Sequence, residues 1–79
     1  MRILDEQRDC TVAKATILLT KTEAEELRDS LESVLANRRE NHAHIPSEDF
    51  QKEITVAVYD EENIHTFNER CQRLIREDA

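Results

Sequence analysis

Five apolar residues recur twice in this chain at one spacing. Ala24, Leu27, Leu31, Val34 and Leu35 step by 3, 4, 3 and 1, and Ile64, Phe67, Cys71, Leu74 and Ile75 repeat those steps forty positions later. Steps of three and four bring side chains back to the same face of an α-helix. The pattern therefore predicts two amphipathic helices, one over 20–37 and one over about 61–77. Thr20 with Glu23, or Thr22 with Glu25, has the spacing of a capping box at the first helix start. Asp60 is placed to cap the second. No position from 12 to 37 is identical to its counterpart forty residues on, so the repeat is one of pattern and not of residues.

A strand-like run precedes each helix. "TVAKATILLT" (11–20) is β-branched and aliphatic, and "EITVAVYD" (53–60) alternates cleanly. "RILDEQ" and "HAHI" read as the outer arms of two hairpins, with "QRDC" and "PSEDFQ" as their polar turns. Pro46, the chain's one proline, suits a strand end, where no ladder donor is needed. The expected fold is α+β, a two-layer sandwich in β-β-α-β-β-α order. It has a mostly antiparallel four-stranded sheet with two helices on one face, all in a single small domain spanning 1–79. A three-stranded alternative leaves 38–50 as a loop, which is long for so small a domain.

Strand alternation creates a conflict in that sheet. Ile54, Val56 and Val58 oppose Thr55, Ala57 and Tyr59; Ala13, Ala15, Ile17 and Leu19 oppose Val12, Lys14, Thr16 and Leu18. Either choice of inner face leaves apolar groups on the other. With Ile54, Val56 and Val58 inward, Ala57 and Tyr59 face outward and mark an interaction surface. Burying about 100 Å² more aliphatic surface there favours association by roughly 2–3 kcal/mol before entropy costs. A homodimer through that face, or through an edge strand, is expected.

Composition narrows the function classes. The chain has 79 residues, too few for more than one core. It has no glycine, which excludes a phosphate-cradling loop or a dinucleotide fingerprint. The net charge is −7, with −3 falling in 20–37 and −3 in 60–79. That charge repels phosphate backbones and argues against nucleic acid. It favours a basic protein partner. No apolar run is long enough for a leader or a membrane span. Cys10 and Cys71 form neither a CxxC pair nor a disulfide framework, which fits a reducing, cytoplasmic setting.

The residues with most chemistry lie in "NHAHIPSEDF" (41–50). On a strand His42 and His44 share a side and can offer two imidazoles to one metal ion. A third ligand would come from Glu53, Asp49, His65 or a second chain, and the spacing does not supply it. The plainer reading puts both histidines on a solvated hairpin face, with Ala43 and Ile45 inward. Arg70, Arg73 and Arg76 step along the second helix and read as salt-bridged surface, with Glu69–Arg73 and Arg73–Glu77 as i,i+4 pairs. On the first helix Lys21–Glu25 and Arg28–Glu32 are such pairs, and Arg38 and Arg39 suit its C-terminal end. Ser30, Ser33 and Ser47 stand in no nucleophile context, and two thin layers rarely enclose a catalytic pocket. No enzyme activity and no cofactor are expected.

The layout of acidic helix, H-x-H, strand and second helix is similar to small bacterial immunity or antitoxin proteins, which neutralise a toxin by covering it. The likeness is one of layout and assigns no residue. The sequence thus points to a non-enzymatic interaction or regulatory module. Its expected contacts are the acids Glu25, Glu26, Asp29 and Glu32, with Ala57 and Tyr59 on the sheet. The alternatives are a metal-binding module using His42 and His44, and a small enzyme or ligand carrier with a site at a dimer interface.

Overall fold

A computed structural model describes residues 1–37 and 42–78. The class is α+β. The elements run β1 (Leu4–Asp5), β2 (Cys10–Thr11), α1 (Lys21–Ala36), β3 (His42–Pro46), β4 (Glu53–Ala57), a 3-10 helix (Ile64–Thr66) and α2 (Glu69–Glu77). The strands form two separate antiparallel pairs, β1–β2 and β3–β4, and not the single four-stranded sheet that the alternation predicts. Packing divides the chain into two compact units: Met1–Ile17 with Asp60–Ala79, and Leu18–Tyr59.

In the second of these units α1 starts where the sequence places it. Of the two possible capping boxes, Thr20 forms it: its Oγ1 accepts from the Glu23 N–H at 3.2 Å, and Glu23 Oε1 accepts from the Thr20 N–H at 2.9 Å. That satisfies two helix-start amides reciprocally. Arg38 and Arg39, expected at the helix end, lie outside the described residues. The hairpin β3–β4 pairs His42 with Ala57, Ala43 with Val56, His44 with Thr55, Ile45 with Ile54 and Pro46 with Glu53. One face carries Ala43, Ile45, Ile54 and Val56, all buried or half-buried; the other carries His42, His44, Thr55 and Ala57, all exposed. α1 packs on β3, and Val34 and Ile45 are the buried residues there. The stripe on α1 is covered only in part. Leu27 is half-buried, but Ala24, Leu31 and Leu35 are exposed.

The turn of this hairpin is built from side chains. Ser47 Oγ donates to Asp49 Oδ1 at 2.6 Å and accepts from the Lys52 N–H at 3.0 Å; the Gln51 N–H reaches Asp49 Oδ1 at 3.0 Å. Phe50 takes a φ of 58° and is 80% exposed. A bulky residue in the left-handed region is strained, and with no glycine in the chain the turn places Phe50 there.

The other unit contains β1–β2, which closes only two residue pairs, Leu4 with Thr11 and Asp5 with Cys10. Its turn is shaped by Asp5 Oδ1, which accepts from the Gln7 and Arg8 N–H groups, and by Asp9 at φ 51°. Two arginines tie the N-terminal segment to α2. Arg2 Nε donates to the carbonyls of Leu74 and Ile75 in the last turn of α2 at 3.1 and 3.2 Å, the Leu74 carbonyl accepting from the Asp78 N–H as well. Arg70 reaches Glu6 Oε1 and Asp9 Oδ1, both at 3.3 Å. Leu74 is buried, and Ile64, Phe67, Cys71 and Ile75 are half-buried.

The second helix departs from expectation. It begins at Glu69 rather than near 61, and Asn68 is its cap, accepting from the Cys71 N–H at 2.8 Å. Asp60 instead closes a local turn. Its Oδ1 accepts from the Glu62 and Asn63 N–H groups while Asn63 Oδ1 accepts from the Asp60 N–H. Short polar side chains that bond nearby backbone compete with a helix. His65, Thr66, Phe67 and Asn68 are weak helix formers, and they follow directly. The two helices therefore start 48 positions apart, at Lys21 and Glu69, and the forty-residue offset does not extend to their caps.

Candidate functional site

The acids expected to meet a partner all lie exposed on α1. Glu25, Asp29 and Glu32 follow i, i+4, i+7 and share one helix face; Glu26 lies beside them. Lys21 Nζ stands 3.9 Å from Glu25 Oε1, as predicted. Arg28 does not reach Glu32; it bonds its neighbour Asp29 at 3.1 Å. That carboxylate holds the Arg28 guanidinium above its ordinary value, with weaker help from Glu25 and Glu32. Glu26 and Glu32 have no ion pair among the described residues. The face is thus acidic, hydrated and only partly neutralised.

Ala57 and Tyr59 are exposed, but the sheet face behind α1 is not half-apolar. His42, His44 and Thr55 share it with Ala57, and the described ladder ends at His42–Ala57, so Tyr59 lies past it. The exposed apolar surface lies elsewhere. Leu18 is 89% exposed, Leu35 70% and Ile17 56%. Leu18 and Ile17 belong to the run that reads as a strand. The sequence marked that run as sheet, and nothing in it signalled that its partner would be missing.

His42 and His44 do stand together, their ring centroids 5.3 Å apart and their planes nearly perpendicular. His44 Nδ1 is 3.0 Å from Thr55 Oγ1 and 3.5 Å from Glu53 Oε1. This is the hydrogen-bonded pattern that cross-strand neighbours give. Among the described residues no three His, Cys, Asp or Glu side chains come together as a cation would need.

Glu23 is the acid that sequence reading assigned only to a cap. Its second oxygen, Oε2, also accepts from the Glu48 N–H at 2.8 Å, tying the start of α1 to the hairpin turn. The N–H groups of Thr20 and Glu48 hold the Glu23 carboxyl below its ordinary value. Asp49 is lowered likewise, by the Ser47 hydroxyl and then the Gln51 N–H. Both shifts arise from turn and cap geometry and need no ligand.

A shallow hollow of about 280 Å³ runs along α2, lined by Glu69, Gln72, Arg73, Arg76 and Glu77. Its walls come from one helix, and every lining residue carries a charged or amide group on an aliphatic stem. Arg73 pairs with neither Glu69 nor Glu77, contrary to the i,i+4 expectation, and Arg76 bonds Gln72 Oε1 at 3.2 Å. Cys10 and Cys71 are both free thiols, Cys10 exposed and Cys71 half-buried in the stripe of α2. No described helix is long and apolar enough to cross a membrane. Compared with protein-family models, characterised proteins and solved structures, the chain matches none.

Proposed function

We propose that this chain is a non-enzymatic interaction module that docks a basic protein through the acidic face of α1 and works as a homodimer. The observation that carries the first part is the row Glu25, Asp29 and Glu32 with Glu26 beside it, exposed on a helix fixed by its capping box. Long-range attraction to a basic surface speeds encounter and is screened by salt. The second part is supported by Leu18, Leu35 and Ile17, which a lone chain leaves in water. A cytoplasmic setting belongs to this reading, since it keeps two free thiols reduced. So does a single four-stranded sheet, as the arrangement of the associated protein.

The test compares the parent chain with a variant carrying Glu25→Gln, Glu26→Gln, Asp29→Asn and Glu32→Gln. Immobilised in native extract, the parent should retain a basic protein at low salt and release it in 0.5 M salt, an ionic strength at which screening is strong (about 4 Å). The neutralised variant should retain none. Equal retention by both chains would remove the acidic face from the reading.

A further inference from the structure

Residues 13–19, "AKATILL", are the best strand-forming sequence in the chain without a ladder. β2 ends at Thr11, and the last backbone bond of that hairpin runs from the Val12 N–H to the Ile3 carbonyl at 2.9 Å. The next backbone pairing is the Ala24 N–H to the Thr20 carbonyl inside the α1 start. Between them no backbone group of 13–19 bonds to another described residue, and every residue of the stretch is exposed. The stretch is not itself a strand, and Ala13 lies at a bend; a segment of high β propensity with unpaired backbone is one that a second strand can order.

The sequence says which strand. Laid antiparallel on itself about Thr16, the stretch sets Ala13 against Leu19 and Ala15 against Ile17 on one face, small against large. On the other face Lys14 meets Leu18 and Thr16 meets Thr16, a favoured cross-strand pair. No like charges oppose. The charge map of the whole chain selects the same place. All 18 acids lie outside residues 10–22, the longest acid-free stretch, so two copies of a −7 chain approach here with least repulsion. Lys14 alone guards this edge, where edge strands usually carry more charge.

We infer that residues 13–19 form an antiparallel ladder with the same residues of a second copy, Thr16 lying on the two-fold axis. The inference rests on the proposed homodimer and assigns its interface. Backbone groups without a partner among the described residues then pair, and Ile17 and Leu18 leave water at the seam. Repulsion between the acidic remainders makes this dimer tighten with added salt. Docking to a basic partner has the opposite salt dependence, so the two interactions separate in one titration.

Sedimentation of the full chain tests it. The parent should run at twice 9.3 kDa at tens of micromolar. Thr16→Lys sets two cations across the axis and should raise the dimer dissociation constant at least tenfold, which is about 1.4 kcal/mol. Helix content should hold, since Thr16 is exposed and bonds to no other described residue. Either kind of antiparallel pair holds Cα atoms about 4.5–5.5 Å apart, within disulfide range. With Cys10→Ser and Cys71→Ser as background, Thr16→Cys should give a covalent dimer on mild oxidation and Lys14→Cys should not. A parent that sediments as a 9.3 kDa monomer at 100 µM defeats both the dimer and its interface. A dimer indifferent to Thr16→Lys, or cross-linked equally at 14 and 16, defeats the interface and leaves self-association standing.

Discussion

The two hairpins use their strand sequences very differently. β3–β4 aligns five residue pairs and buries Ile45 beneath α1, whereas β1–β2 closes two pairs and stops. Yet the arm that continues from β2, "TVAKATILLT", has more β-branched and aliphatic residues than β4. Propensity does not separate them. Partners do. β3 lies under a helix whose position is fixed by the Thr20 box and by the bond from Glu23 to the Glu48 amide. The first hairpin is held mainly by polar ties, Arg2 on the α2 carbonyls and Arg70 on its turn. A ladder needs a helix to cover it or a neighbour to extend it, and residues 13–19 have neither within the described chain.

The largest test of that contrast is Ile45→Ala. Truncating this buried side chain should cost about 2–4 kcal/mol, a large part of what so small a chain holds. Hydrogen exchange should then show the β3–β4 amides losing protection first. If the β1–β2 amides lose as much, the contrast between the hairpins is wrong. Phe50→Asn should act the other way. Relieving the left-handed strain should raise the thermal midpoint by an amount corresponding to about 1 kcal/mol. Thr20→Ala should lose about 1 kcal/mol by removing the cap, measured by urea denaturation. On the other hairpin Arg70→Ala breaks two exposed ion pairs and should cost roughly 0.5–1 kcal/mol. That difference should fade in 1 M salt.

Acid sharpens the comparison with a sign of its own. The Glu23 and Asp49 carboxyls are lowered in the folded chain, so the unfolded chain takes up their protons first. Their contribution is complete above the ordinary carboxyl values of 4.5 and 3.8 and is lost as pH falls through the lower folded values. Both groups serve α1 and β3–β4, so NMR in acid should show that hairpin turn loosening, and Glu23→Gln should flatten the slope. Among the variants considered, His44→Ala should have the smallest effect. The exposed contact with Thr55 predicts a change within about 0.5 kcal/mol in urea unfolding.

Much of the local structure was legible. Thr20 three residues before Glu23 defined a helix start, and alternation in "HAHI" and in "EITVAVYD" gave both the hairpin and its faces, histidines out and Ile45 in. The second helix was misread because its apolar spacing continues through residues that prefer turns. Periodicity records which face a residue takes, and Asp60, Asn63 and Asn68 decide where winding begins. The single sheet was out of reach for a different reason. Side-chain alternation says that a segment can pair and is silent on whether anything lies beside it. The candidate contacts on α1 were readable as exposed acids, since helical spacing fixes their face. The bond from Glu23 to Glu48 was not, because a backbone amide twenty-five residues away leaves no mark in the letters.

The missing glycines reach beyond the turns. Among the described residues three, Asp9, Phe50 and Asp78, carry positive φ values, and none is glycine. Glycine is also the residue with most backbone freedom to surrender on folding, so a denatured ensemble without it is already narrowed. A fold with a slight interior can then stand against a smaller entropic pull. Placing glycine at 50 would ease one local strain and widen the unfolded ensemble at the same stroke.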